Sequence, residues 1–185
     1  PVELPSGEYT TLLEEYAVGW MLFYLAYRGL GALSVREERS FMNGRFGQQI
    51  SDPRINIWDD GWDPRGIPFP FDYEGVPKQR VEMISGGVAR EVVWDSYTAT
   101  NAGRQSTGHA LPAPDPFGPF PGNLFMRAGD STTAEMLASM DRGLWVTRFH
   151  YVNVLHPIQT LLTGMTRDGT FLVEKGVEVG PVKNL

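Results

Sequence analysis

Residues 144–185 read LWVTRFHYVNVLHPIQTLLTGMTRDGTFLVEKGVEVGPVKNL, and this stretch decides the fold. Leu144 to Leu155 is rich in β-branched and aromatic residues, which favour extended backbone. Pro157 interrupts that run, and Thr160 to Thr166 makes a second one, ending at Arg167-Asp168-Gly169, whose composition predicts a turn. Thr170 to Glu174 and Val177 to Val182 flank Lys175-Gly176, a natural tight hairpin turn. The expectation is an antiparallel meander that the upstream chain must cover.

Outward from this tail, Thr132 and Glu135 stand at capping-box spacing, which predicts a helix over 131–142. Met136, Leu137, Met140 and Leu144 recur at helical spacing and predict its apolar stripe, with Gly143 as its stop. Further upstream, Asn123 to Arg127 reads as a strand, and Gly108 to Gly122 is a proline-dense segment. Phe117 and Phe120 within that segment argue for an ordered loop rather than a solvated linker. Ser85-Gly86-Gly87 between Lys78–Ile84 and Val88–Asp95 is the clearest hairpin of the first half. Ser96 to Ala102 predicts a short helix, Arg54 to Trp58 a strand, and Arg65 to Phe71 an extended, proline-spaced segment. Near the start, Glu8 to Leu13 favours a strand, and Glu15 to Arg28 a helix that is apolar nearly all round. Such a helix is expected to be enclosed by the sheet or by a partner. Ala32 to Arg39 predicts a short second helix.

Composition bounds the function. A chain of 185 residues, 42% hydrophobic and 21% charged, suits one substantial core, and 21 Gly with 14 Pro imply many turns. A net charge of −6 without any basic stripe argues against a nucleic-acid surface. The absence of cysteine removes disulfides, thiolate nucleophiles and thiolate metal ligands, and fits a cytoplasmic protein. The longest apolar run, Tyr16 to Tyr27, is too short to span a bilayer, and no signal peptide is visible.

Several segments together carry a family resemblance: SFMNGRFGQQ, WDDGWDPRG, FDYEGVPKQRV, STGHA, the stretch from Gly129-Asp130-Ser131 to RGLWVTR, TGMTRDGTFLVEKG and GPVKNL. In this order and spacing they resemble the carboxy-terminal domain of the TldD/PmbA (TldD/TldE) family, known as modulators of DNA gyrase and as metallopeptidases. The likeness treats residues 1–185 as a single such domain, without the amino-terminal half of the family. It implies zinc in active members, bound by an HExxxH helix whose glutamate activates the metal-bound water. Counting back from SFMNGRFGQQ, that motif falls within about Leu22 to Arg28. The residues there are Leu-Phe-Tyr-Leu-Ala-Tyr-Arg, and no HExxxH occurs anywhere in the chain. No metal ligand set and no cofactor are therefore assigned. The resemblance further implies paired subunits, of which one bears the HExxxH and the other helps to enclose a peptide.

The remaining candidate chemistry is sparse. Of the three histidines, His150 lies mid-strand between Phe149 and Tyr151, His109 in the Gly-Pro-rich loop, and His156 before Pro157, where exposure is expected. His150, His109, Arg167 and Asp168 are the candidate substrate-binding residues; catalytic residues stay unknown. Asp59, Asp60, Asp63, Asp72 and Glu74 fall in two neighbouring turns. They could offer oxygen ligands to a hard cation, but their spacing matches no EF-hand and suits turn capping better. Ser106-Thr107-Gly108-His109 invites a serine–histidine reading, yet adjacency supplies neither an orienting group nor an oxyanion site. Asn43-Gly44-Arg45-Phe46-Gly47 is no phosphate loop, because it departs from GxxxxGK[ST].

The fold expected is α+β: mainly antiparallel twisted sheets and a meander packed on a long apolar helix, with a short capped helix. The function expected is a zinc-less, TldE/PmbA-like subunit that assists peptide binding and proteolytic processing. The alternatives are a hydrolase with an unfamiliar site built from His150, His109 and the Asp59–Asp63 cluster, or an assembly domain. Partners expected are another copy or a related subunit, and a peptide; no nucleic acid and no membrane.

Overall fold

The computed structural model describes every residue except Asn184, and the chain divides into two compact units. The first contains residues 1–23, 129–155 and 161–185, and the second residues 24–128 and 156–160. The architecture is mixed α and β with open sheets, the α+β class that the sequence predicts.

In the first unit, β1 (Thr10–Leu13), β6 (Arg142–His156), β7 (Leu161–Glu174) and β8 (Val177–Pro181) form one sheet in the order β1-β6-β7-β8. The tail is the meander expected from its sequence, but with one strand fewer. β7 runs straight through Arg167-Asp168-Gly169, which the sequence marks as a turn. Asp168 absorbs the irregularity by taking φ +68° inside the strand, so the chain kinks without reversing. The reversals lie at 157–160 and at Lys175-Gly176, where φ values of +51° and +78° suit a two-residue hairpin turn. β8 pairs antiparallel with β7, whereas β1 lies parallel to β6, from Thr10 opposite Gly143 to Leu13 opposite Val146.

Alternation along the strands builds two cores. Leu144, Val146 and Leu172 pack with Val182, and are joined by Leu4, Tyr9, Leu13 and Phe149. Leu12 and Val173 pack with Met140, and are joined by Leu137 and Trp145. The second cluster is supplied by α4 (Thr133–Ala138), whose capping box is present as predicted. Thr132 Oγ1 accepts from Glu135 N, and Glu135 Oε2 accepts from Thr132 N. The predicted stripe holds only in part: Leu137 and Met140 pack inward, Met136 is exposed, and Leu144 already belongs to β6. Gly143 does not merely stop a helix. A Cβ there would stand 2.3 Å from the Thr10 carbonyl, so the close β1–β6 pairing needs glycine.

The second unit holds α2 (Ala32–Arg36), β2 (Ile57–Asp59), β3 (Val81–Ser85), β4 (Val88–Ala89), α3 (Ser96–Asn101) and β5 (Leu124–Met126). Its strands form an antiparallel sheet in the order β4-β3-β2-β5. Gly86 and Gly87, at φ +58° and +74°, make the predicted two-residue turn between β3 and β4. Val81, Met83, Ile84, Val92 and Val93 are buried. The proline-dense segment is an ordered loop: Phe120 N donates to the His109 carbonyl, Pro121 is fully buried, and Phe117 packs on the Tyr27 ring.

The helix α1 (Glu15–Gly29) occurs where predicted and is shared between the units. Within this chain the sheet does not enclose it. Ala17 and Ala26 are buried, whereas Tyr16, Trp20, Met21 and Phe23 are exposed, Tyr16 by 75%. Close packing here selects the small side chains, and a uniformly apolar sequence cannot say which side that will be.

Candidate functional site

The kink in β7 assembles the candidate site. Arg148 and His150 are two apart on β6, so pleating puts both side chains on one face. Arg148 Nε meets Asp168 Oδ2 at 2.6 Å, and Arg167 Nε lies 3.5 Å from Asp168 Oδ1. Arg167 Nη1 lies 2.8 Å from His150 Nε2. A guanidinium only donates, so the ring nitrogen is the acceptor in this contact. Thr147 Oγ1 holds the kink from β6, its one proton shared between the carbonyls of Arg167 and Gly169. Tyr151 on β6 also has positive φ, +50°, and its ring lies 4.5 Å from that of His150. Non-glycine residues in the left-handed region, one in each of these two strands, are uncommon and strained.

Three of the four sequence candidates, His150, Arg167 and Asp168, therefore come together. Arg148 was not singled out, although its two-residue offset from His150 is the signal that places it on the same face.

His109, the fourth candidate, does something else. It is sealed in the second unit, 1% exposed, with Nε2 2.9 Å from Asp59 Oδ1 and Nδ1 2.9 Å from Thr107 Oγ1. Asp59 is itself fully buried, and its Oδ2 accepts from Asn123 N. Neither a histidine nor a carboxylate so enclosed can touch a substrate, and the pair instead ties β2 to the proline-dense loop. Lys78 is buried nearby. Burial pushes its ammonium below the ordinary lysine range, against the opposing pull of Asp59 and Asp72. The serine–histidine reading fails on geometry: Ser106 Oγ donates to the Trp94 carbonyl and accepts from Gly108 N, while His109 faces Thr107 and Asp59.

The other carboxylates bind backbone groups of their own turns and of neighbouring segments. Asp60 Oδ1 accepts from Trp62 N, and Asp72 Oδ1 from Glu74 N and Val76 N. Asp72 Oδ2 accepts from Ala110 N, and Glu74 Oε2 from Ser96 N. The side chain of Arg65, and then its backbone N–H, bond Asp63 and hold its carboxyl down to about 2. Among the described residues, no group of three or more His, Asp or Glu is placed to hold a metal ion. His156 is exposed, as expected, and its Nδ1 faces Gln159 N.

The chain has the fold of TldE from Thermococcus kodakarensis, with a TM-score of 0.85 at 23% identity over 98% of this chain and 41% of that one. A Thermotoga maritima protein described as a candidate modulator of a DNA gyrase superposes with a TM-score of 0.84 at 26% identity, again over 98% and 41%. The PmbA/TldA metallopeptidase C-terminal domain family matches residues 6–185, and the chain belongs to this PmbA/TldD family. It is 29% identical to a metalloprotease TldD homolog from Haemophilus influenzae, over 98% of this chain and 38% of the relative. The chain thus spans about two-fifths of the length of the relatives it matches.

The zinc implied by the family can be tested against the donors present. Leu22, Phe23, Tyr24, Leu25, Ala26, Tyr27 and Arg28, on α1, offer no imidazole, thiolate or carboxylate. These residues do not fit a zinc ion.

Proposed function

We propose that this chain is a peptide-holding domain of the PmbA/TldD family, acting in the cytoplasm beside a related subunit that bears the zinc. The observation that carries this reading is the donor-free stretch Leu22–Arg28, at the position where the resemblance puts HExxxH. The reading is supported by the length of β6 and β7, since a long sheet can take an extended peptide by strand addition. No helix among the described residues is long and apolar enough to cross a membrane.

The test is the response to metal. A metal bound to the native state raises its melting temperature by mass action. The melting temperature of this chain is expected to stay the same with EDTA, and the chain is expected to bind peptide without cleaving it. A fall with EDTA that zinc restores would overturn the proposal in favour of a metallopeptidase with a different site.

A further inference from the structure

Within the second unit, α2 and α3 leave a cleft of about 330 Å³ between them. Helical spacing builds its two walls. Ala32, Val35 and Arg36 stand at i, i+3 and i+4 on α2, and Thr98, Asn101 and Ala102 repeat that spacing from α3 into its C-cap. The gap stays open because Ala32, Thr98 and Ala102 are small. Trp94, just ahead of α3, completes the lining. Hydrogen bonds hold these parts in place. Ala32 N donates to the Val93 carbonyl, and Val93 N to the Leu30 carbonyl. Trp94 N donates to Thr107 Oγ1 at 2.8 Å, and its indole Nε1 to Glu91 Oε1 at 3.1 Å. A cleft formed in advance spares a ligand most of the cost of ordering it.

Polarity is graded from the base of the cleft to its rim. Ala32 and Thr98 are buried, Val35 and Trp94 half-buried, and Arg36 and Asn101 exposed. Thr98 Oγ1 is spent on Asp95, and the Trp94 indole on Glu91, so the inner side chains offer no free polar group. Arg36 differs. Its guanidinium carbon lies 5.6 Å from the centroid of the Tyr97 ring, which holds it from α3. It makes no ion pair among the described residues: Glu37 pairs with Arg39, Glu91 with Arg104, and Asp95 caps α3. Beside it, Asn101 Nδ2 spends one hydrogen on the Tyr97 carbonyl and keeps a second.

We infer that this cleft binds a small monocarboxylate with a ring-sized apolar body, the body against Val35 and Trp94 and the carboxylate on Arg36. The planar fork of a guanidinium matches a carboxylate. A phosphate dianion would leave a second charge unmatched, on a chain whose net charge is already −6. An apolar cavity of about 150 Å³ already takes benzene, so this cleft has room for a ring and a short tail. Arg148, His150, Arg167 and Asp168 all belong to the first unit, so a peptide held there is a separate matter.

The experiment titrates the 185-residue chain with phenylacetate, with its uncharged analogue 2-phenylacetamide, and with acetate, following backbone amide and indole signals by NMR. Phenylacetate is expected to move the Trp94 indole signal and the amides of residues 98–102. It should bind about fivefold more tightly than the amide, the upper range for an exposed ion pair. Over acetate, which has no ring to bury, the margin should be on the order of tenfold or more. Arg36→Gln should bring phenylacetate down to the amide's affinity and leave the amide unchanged. Ala102→Leu should fill the cleft and weaken both ring compounds. Both positions are exposed, so the two variants should melt with the wild type. Equal affinity for phenylacetate and its amide would overturn the carboxylate assignment, and equal affinity for phenylacetate and acetate the apolar body. Signals that move only in the first unit, or undiminished binding to Ala102→Leu, would overturn the location. No response to any of the three compounds would overturn the proposal outright. The three-compound contrast is read on the unaltered chain, so it decides the matter even where a variant fails to fold.

Discussion

At Gly169, a Cβ would stand 2.8 Å from Phe171 Cε2 and 2.8 Å from Thr147 Cγ2. The sequence marks Asp168-Gly169 as a turn that needs positive φ; Asp168 adopts that conformation and Gly169 does not. What Gly169 supplies is room for Thr147, whose hydroxyl holds the kink. Gly169→Val is therefore expected to destabilise by about 1–3 kcal/mol through crowding. Lys175→Ala should stay within about 0.5 kcal/mol, because Lys175 is exposed and alanine keeps its backbone class. Urea unfolding midpoints of the two variants check this, and equal midpoints would show that β7 does not pass Thr147 so closely.

Among the elements, α4 makes the most direct statement about pH. Hydrogen bonds from Thr132, backbone first and then hydroxyl, hold the Glu135 carboxyl below the ordinary glutamate range. A carboxylate whose folded pKa is depressed stabilises the fold above its unfolded pKa, and that contribution is lost as pH falls through the folded value. Glu135→Gln keeps a side-chain acceptor for the Thr132 amide and has nothing to titrate. The wild-type chain should therefore be the more stable at neutral pH, and its margin over Glu135→Gln should close in acid, below the ordinary glutamate range. A margin that is the same in acid as at neutral pH, by urea midpoint, would mean that the capping box does not form in solution. The same capping residues were legible in the sequence, because the box depends on residues three apart and on little else.

For the whole molecule, the decisive surface is the exposed stretch of α1. Tyr16, Trp20, Met21 and Phe23 lie within eight residues of one helix, and all are exposed. Soluble monomers rarely leave large contiguous apolar patches uncovered. The expectation of a paired assembly, made from the sequence, stands as a proposal with this patch as its basis. Light scattering should find the chain dimeric, with Trp20→Glu returning it to monomer by placing a charge in the interface. A monodisperse wild-type monomer would end that proposal.

What the sequence determined by itself was local. The Gly86-Gly87 and Lys175-Gly176 turns, the Thr132–Glu135 box and the β-rich tail follow from φ preferences and from neighbours a few residues apart. The family was legible too, because its motifs keep their order along the chain. The tertiary structure alone decided the rest. Asp168 looked like part of a turn until Thr147, far along the neighbouring strand, held β7 in one piece. His109 looked available until Asp59, fifty residues away, sealed it in the second unit. Arg148 meant nothing until β7 brought Asp168 against it. Each of these depends on which distant segments pair. Local propensity leaves that choice open, and only burial and hydrogen bonding across the assembled sheets decide it.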